Sequence, residues 1–256
     1  VARSVPGNFP STNLSTMSLF RKVEPMKLTY FKVMAKGLGP ALVAEFSGLP
    51  WIGPKETGFT IETWPELKTS GKCAFGQLPL LEVDGMNIVQ SIAIVNYIGK
   101  KAGTEGYGAD FVMSQTLLAD GEDIYMSMQK FVPTIIVKLG ETGRDGITKK
   151  GGQAEYDKYW EDWMPGHLTK LETLLDGKST FTSTGQTPGE LYLWAMLHQA
   201  KLVVPTVFDA TPNLAAFYAS LAEEPRVKKV LSGESTYGEW TQYFVAPEQD
   251  GSCSLM

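Results

Sequence analysis

The chain has 256 residues, 43% of them hydrophobic, with 23 basic against 28 acidic side chains and a net charge of −5. That is enough apolar content for one or two ordinary cores. An acidic balance without a basic stripe argues against a nucleic-acid backbone as partner, and apolar runs such as Ile135-Ile136-Val137 fall far short of the ~20 residues that cross a bilayer. Cys73 and Cys253 are too few for a disulfide framework. His167 and His198 stand at no ligand spacing with either cysteine, so no metal site is expected.

Residues 1–25 are rich in Ser, Thr, Asn and Pro and carry Arg3, Arg21 and Lys22 against Glu24, with no apolar period. They read either as a flexible extension or, since the chain opens on Val1, as the segment left after removal of an organellar transit peptide; cytoplasm and plastid stroma both stand as compartments. Lys27 to Val33 suits a half-buried strand carrying Tyr30, and Gly37-Leu38-Gly39-Pro40 interrupts it before a helix over Ala41–Phe46 with Pro40 in its first turn. After a loop holding Pro50, Gly53, Pro54 and Gly58, a strand is expected over Phe59–Thr63 and a short helix over Trp64–Thr69.

Leu78–Val83 and Met86–Val89 flank Asp84-Gly85, the strongest hairpin signal in the chain. Ser91 is placed to cap a helix running through Ile98 to Lys100 and Lys101, with Gly103 ending it. Gly103 to Gly108 reads as a linker, and helices alone are expected beyond it: Phe111–Gln129, Gln153–Leu175 after a polar hinge at Gly140–Gly152, a capped helix after Thr187-Pro188-Gly189-Glu190, then Pro212–Leu221 and Pro225–Leu231. The division is therefore 1–25 extension, 26–103 mixed α/β domain, 109–244 helical domain and 245–256 loose tail.

Lys27-Leu-Thr-Tyr-Phe31, Trp64-Pro-Glu-Leu-Lys68, Phe75-Gly-Gln-Leu-Pro-Leu-Leu-Glu-Val-Asp-Gly85 and Gln90-Ser-Ile-Ala-Ile94, in that order and near that spacing, resemble the glutathione S-transferase superfamily, most closely its sigma class. Asp120, Asp123, Tyr125-Met-Ser127, the Thr187 cap and the Pro225 helix extend the resemblance over about 27–240. It implies a thioredoxin-like N-terminal domain followed by an all-helical domain, glutathione as co-substrate with no other cofactor, and a homodimer. Tyr30 is then the hydroxyl that donates to the glutathione sulfur. A free thiol with a pKa of ~8.5 is only a few per cent ionised at neutral pH, and one hydrogen bond to the anion, worth ~1.5–3 kcal/mol, lowers that value by one to two units.

The resemblance further implies a cis Leu78–Pro79 bond presenting the Leu78 backbone to the cysteinyl unit, Gln90 and Ser91 on the γ-glutamyl carboxylate at a helix start, and Trp64, Lys68 and Gln77 at the glycyl end. Tyr125, Met128 and Phe131 are candidates for lining an apolar electrophile pocket, with core packing as the alternative. Two departures stand out. Lys36 occupies a position where sigma-class members commonly carry arginine, keeping charge but losing the planar fork, and Ile124 stands where an aspartate often reaches across the dimer, leaving Asp120 and Asp123 as the nearest carboxylates. The loop from Leu49 to Trp64 is also long, and its Trp51 is expected to reshape one rim of the pocket.

A thiol-transferase would need a cysteine near Tyr30, and none is there; Cys73 is read as a small packed residue. Gly37-Leu38-Gly39 lacks the third glycine and the βαβ repeat of a dinucleotide site. Cys253-Ser-Leu-Met256 has the form of a prenylation box without an upstream basic cluster. The expected function is conjugation of glutathione to an apolar electrophile, or isomerisation or reduction of a lipid-derived substrate. The alternative is a transferase-like docking subunit of a larger assembly.

Overall fold

The computed structural model describes residues 24–135, 147–148 and 152–247. Residues 1–23 of the N-terminal extension, most of the Gly140–Gly152 hinge and the Cys253 box lie outside them. The first part of the chain builds one four-stranded sheet in the order β2-β1-β3-β4 from β1 (Met26–Thr29), β2 (Trp51–Ile52), β3 (Leu80–Val83) and β4 (Met86–Val89). β1 runs parallel to β2 and antiparallel to β3, and the Asp84-Gly85 turn joins β3 to β4 antiparallel, with Val83 opposite Met86. Around it lie α1 (Leu38–Phe46), α2 (Pro54–Thr57), α3 (Trp64–Thr69) and α4 (Ser91–Ala102). This is the thioredoxin-like unit that the sequence implies.

The second strand is not where the sequence places it. The Pro50 carbonyl accepts from the Met26 amide at 2.9 Å, so Trp51-Ile52 takes the edge position, while Phe59–Thr63 forms no strand. There the Thr63 hydroxyl donates to the Thr60 carbonyl at 2.9 Å and accepts from the Thr60 amide at 3.2 Å. A side chain that satisfies its neighbour's backbone locally competes with a strand ladder, and a 3₁₀ turn results.

The rest is built from α5 (Ala109–Phe131), α6 (Gln153–Lys158), α7 (Met164–Leu175), α8 (Pro188–Val203), α9 (Pro212–Glu223) and α10 (Pro225–Leu231). Helices alone do not account for it. Pro133 ends α5, and the β-branched pairs beyond it, Thr134–Ile135 (β5) and Ile147–Thr148 (β6), join antiparallel, with Phe244 bridging Thr134 on the other side. Gln153–Leu175 is likewise not one regular helix: a π-helical turn at Tyr159–Trp163 divides it, just before Pro165, which has no amide hydrogen to continue the ladder.

Helix α8 is the centre of this half, buried from Pro188 to Ala200 without a break. Its neighbours approach it at glycines. A Cβ on Gly189 would lie 2.0 Å from the Ser114 carbonyl oxygen, and one on Gly121 or Gly39 would strike the Tyr192 ring at 2.9 or 2.4 Å. The start of α8 is fixed by Glu190, fully buried, whose carboxylate accepts from the Phe181 and Thr182 amides at 2.9 Å, the Thr182 hydroxyl at 2.5 Å and the Thr187 amide at 3.1 Å. The Thr187 hydroxyl completes the expected capping box.

Farther along α8, His198 stacks on Trp194 at 4.9 Å and shares a 2.8 Å hydrogen bond with the Tyr218 hydroxyl. Burial pulls its pKa down from 6.5 to about 4. The unfolded chain therefore takes up this proton near pH 6.5 and the folded chain only near 4, so stability falls as pH drops through that window, by roughly 3 kcal/mol in all. In denaturant titrations across this range, His198→Gln is expected to flatten that loss. Glu190→Ala, which strands several buried amides and hydroxyls, is expected to destabilise by ~3 kcal/mol or more at neutral pH, measured the same way.

Candidate active site

Tyr30 directly follows β1, which stops at Thr29 and not at the expected Val33, and its ring is packed away, with 7% of the residue exposed. Only glycine fits beside it at position 37, where a Cβ would sit 2.3 Å from Tyr30 Cδ1. The chain then turns so that the Lys36 amide donates to the Tyr30 hydroxyl oxygen at 3.3 Å. That bond uses a lone pair and leaves the phenolic proton without an acceptor among the described residues. Desolvation holds the phenol pKa well above its ordinary value of 10.0, so the proton stays in place throughout the neutral range.

Lys36 is a junction. Its ammonium pairs with Glu122 of α5 and sits 4.8 Å from the Tyr125 ring centroid. Glu122 in turn accepts from the Tyr192 hydroxyl at 2.9 Å, and the Lys36 carbonyl accepts from the Ser91 hydroxyl at 3.3 Å. One lysine thus touches β1, α4 and α5. Glu122 and Tyr192 do not stand out in the sequence, because nothing local marks a carboxylate as the partner of a lysine 86 positions away.

The remaining expected residues surround this point. The Leu78–Pro79 peptide is cis, and no backbone bond within the described residues uses the Leu78 amide or carbonyl. Gln90 turns the corner into α4 with φ of 75°, an uncommon backbone for a side chain with a Cβ. Gln90 is therefore the residue outside the helix and Ser91 its first member, with the Ser91 hydroxyl engaged on Lys36 and not on its own helix end. The first amides of α4 keep no partner inside the helix, as at any helix start.

Aromatic edges link Tyr30 to Phe31 at 5.6 Å and Phe31 to Trp64 at 5.8 Å, and the Lys68 ammonium lies 6.0 Å from the Trp64 ring. The Lys68 stem crosses Gly76, which brings it beside exposed Gln77. Tyr30, Lys36, Trp64, Lys68, Gln77, Leu78, Pro79, Gln90 and Ser91 thus belong to one neighbourhood of loops and helix starts beside the sheet.

The three electrophile-side candidates separate. Tyr125 faces Lys36, Met128 is fully buried in the core, and Phe131 stacks on Tyr159 at 5.3 Å. Ile124 is also fully buried, so no side chain at that position faces outward; Asp123 is exposed and Asp120 bonds His167 at 2.9 Å. Trp51 does not shape the rim: its indole donates to Glu45 at 3.1 Å, and it lines a separate recess of about 450 Å³ with Glu45 and Lys229. Cys73 is buried and burial pushes its thiol up, as suits a packed residue.

Beyond these, the segment Thr241–Val245 crosses the site. It is tied to the loop after Tyr30 at two points, the Met34 amide donating to the Thr241 carbonyl at 3.0 Å and the Thr241 amide to the Lys32 carbonyl at 2.9 Å. At the far side the Ile135 amide donates to the Tyr243 carbonyl at 3.0 Å and the Val245 amide to the Pro133 carbonyl at 2.9 Å. This strap ends the 109–244 unit, where helices alone are expected, and reaches the first residue of the expected tail, Val245.

Residues 26–100 match the family model for the glutathione S-transferase N-terminal domain, and residues 146–234 the one for its C-terminal domain. The chain belongs to the glutathione S-transferase superfamily. Glutathione S-transferase P of Homo sapiens is 27% identical over 213 residues, covering 81% of this chain and 92% of that protein. Glutathione S-transferase 1 of Ascaris suum is 27% identical over 208 residues, covering 80% and 95%. Among solved structures, the pi-class transferase of Onchocerca volvulus shares the fold with a TM-score of 0.66 at 20% identity, covering 81% of this chain and 92% of that one. Prostaglandin synthase D of Nilaparvata lugens does so with 0.60 at 22%, covering 80% and 96%. These relatives include pi-class members and do not single out the sigma class. Membership places this glutathione S-transferase among the transferase enzymes, built as a thioredoxin-like unit followed by a helical one.

Proposed function

We propose that this transferase joins the thiolate of glutathione to a small apolar electrophile, with Tyr30 as the donor that stabilises the sulfur anion. The observation that carries the reading is the 3.3 Å bond from the Lys36 amide to the Tyr30 oxygen. It orients the hydroxyl while leaving its proton for a ligand. A thiolate accepting that proton's hydrogen bond gains ~1.5–3 kcal/mol over the thiol, enough to bring ionised sulfur to around half of the population near pH 7.

The tripeptide then lies along these loops. Its cysteinyl backbone pairs with the Leu78 amide and carbonyl as an added strand would. The γ-glutamyl carboxylate meets the Ser91 end of α4 with the Gln90 side chain, where unpaired amides and the helix dipole favour an anion. Lys68 takes the glycyl carboxylate, with Trp64 and Gln77 beside it. Lys36 adds positive potential near the sulfur, moderated by its pairing with Glu122.

The chain is also proposed to act as a homodimer. Phe75 is 68% exposed in the loop before Gln77, Met86 stands out on the edge strand β4, and Val112 and Met126 on α5. Large apolar side chains in the open on the glutathione loop, a sheet edge and a long helix are the pattern of a surface covered by a partner. The burial of Ile124 removes it as a contributor across that interface.

Tyr30→Phe is expected to lower turnover of a benzylic halide at pH 7 by ~10-fold or more while retention on a glutathione column persists. Equal turnover would remove Tyr30 from the mechanism, and loss of retention in the unmodified protein would remove the glutathione site. Phe75→Glu is expected to shift the protein from dimer to monomer in sedimentation velocity at micromolar concentration.

A further inference from the structure

Tyr30 stands between two anchors. The pairing of β1 with β3 ends at Thr29, opposite Leu80. Beyond Tyr30 the backbone is next held at Phe31, whose carbonyl accepts from the Tyr237 hydroxyl at 2.5 Å. The donor comes from the loop after α10, 206 positions later in the chain, and approaches from the side of β2 and α1. Its backbone is pinned at the corner after β2: the Gly53 amide donates to the Thr236 hydroxyl at 2.8 Å, and a Cβ on Gly53 would lie 2.7 Å from the Tyr237 Cα. Its ring stacks on Trp240 at 3.6 Å, and the Trp240 indole donates to the Val230 carbonyl of α10 at 2.8 Å.

The hydroxyl end is held as closely. A Cβ on Gly37 would lie 2.8 Å from the Tyr237 hydroxyl and 2.3 Å from Tyr30 Cδ1, so the two phenols flank the place where a side chain is left out. Tyr237 is fully buried, and burial holds its phenol well above the ordinary value of 10.0, so it stays a donor throughout the neutral range. A buried tyrosine could satisfy its hydroxyl on any nearby carbonyl. This one takes the first residue after Tyr30, where the chain has left the sheet. The Tyr30 hydroxyl lies at the far end of its side chain, so a small rotation of the backbone there swings it through a larger arc. A reacting group misplaced by ~1 Å can cost ~100-fold in rate.

We infer that Tyr237 sets the aim of the Tyr30 hydroxyl, and through it how strongly bound glutathione is ionised. This rests on the transferase reading above. Tyr237 is a positioning residue, since it touches Phe31 and not the thiol. With its bond in place the Tyr30 proton points at the sulfur and holds the thiol pKa below its free value of ~8.5; without it that value returns toward the free one. The charged and titratable groups around Tyr30 are Lys36 with Glu122 and the phenols of Tyr125, Tyr192 and Tyr243. Among the described residues none of them is hydrogen-bonded to Tyr237, so a change at Tyr237 leaves their charges as they are.

The test follows the ultraviolet thiolate band of glutathione bound to the full-length protein against pH, together with kcat/KM for a benzylic halide at saturating glutathione. In Tyr237→Phe, which keeps the ring on Trp240 and removes the donor, the thiolate midpoint is expected to rise by about one unit. The rate is then expected to fall ~10-fold near pH 7 and to recover to within about twofold of the unmodified protein above pH ~9, where the free thiol is itself ionised. In a Tyr30→Phe background the same change is expected to move neither quantity. Trp240→Leu, which leaves the hydroxyl but removes the ring stacked on Tyr237, is expected to raise the midpoint by a smaller amount, and it carries the test where Tyr237→Phe does not fold. An unmoved midpoint, a loss of rate equal at all pH, or a shift that persists without the Tyr30 hydroxyl overturns the inference and leaves Tyr237 a packing residue. If Tyr30→Phe alone keeps the midpoint of the unmodified protein, the donor reading of Tyr30 falls and this inference falls with it.

Discussion

The architecture depends on how closely α8 can be approached. The helix is buried on every side over most of its length, which is possible only because Gly39 on α1, Gly121 on α5 and its own Gly189 leave out side chains where backbones or the Tyr192 ring would collide. Close approach brings more than dispersion energy. With its ring wedged between two glycines, Tyr192 can place its hydroxyl on Glu122, and Glu122 holds the ammonium of Lys36. The helix that packs the second half of the molecule thereby fixes a side chain in the first.

The same logic explains how a buried tyrosine is left able to donate. Burial disfavours the phenolate, so Tyr30 keeps its proton. The nearby amide of Lys36 satisfies the oxygen, so the group is not a costly orphan. Lysine in place of arginine suits this arrangement, because its single ammonium is directed to Glu122 while its backbone serves both Tyr30 and Ser91. A guanidinium fork would not be needed for either backbone contact.

Features encoded within a few residues were legible in the sequence. The Asp84-Gly85 turn, the Thr187 cap, the Pro225 helix start and the run from β3 through β4 to α4 stand where local chemistry puts them. The cis Leu78–Pro79 bond and the link from Tyr30 through Lys36 to Ser91 likewise involve residues whose motifs were legible as a set. Elements defined by distant partners were not. β2 is two residues long and exists because Met26 is beside it, β5 exists because of β6 and Phe244, and the π turn reflects a ladder problem at Pro165. Glu122 and Tyr237 carry no local signal at all, being a carboxylate and a phenol whose roles arise only when distant parts of the chain meet.

The strap has a consequence for how the molecule comes into being. Thr241 is hydrogen-bonded to the loop at 32–34, so the edge beside Tyr30 pairs segments about 200 positions apart. Contacts of such long sequence separation form late, after the intervening chain has been ordered. On the ribosome, where earlier segments emerge first and fold as units, the sheet and α8 can be in place while this edge still waits for Thr241 to emerge. The edge beside Tyr30 thus waits for a residue some 200 positions downstream, and a chain cut before Thr241 lacks that brace.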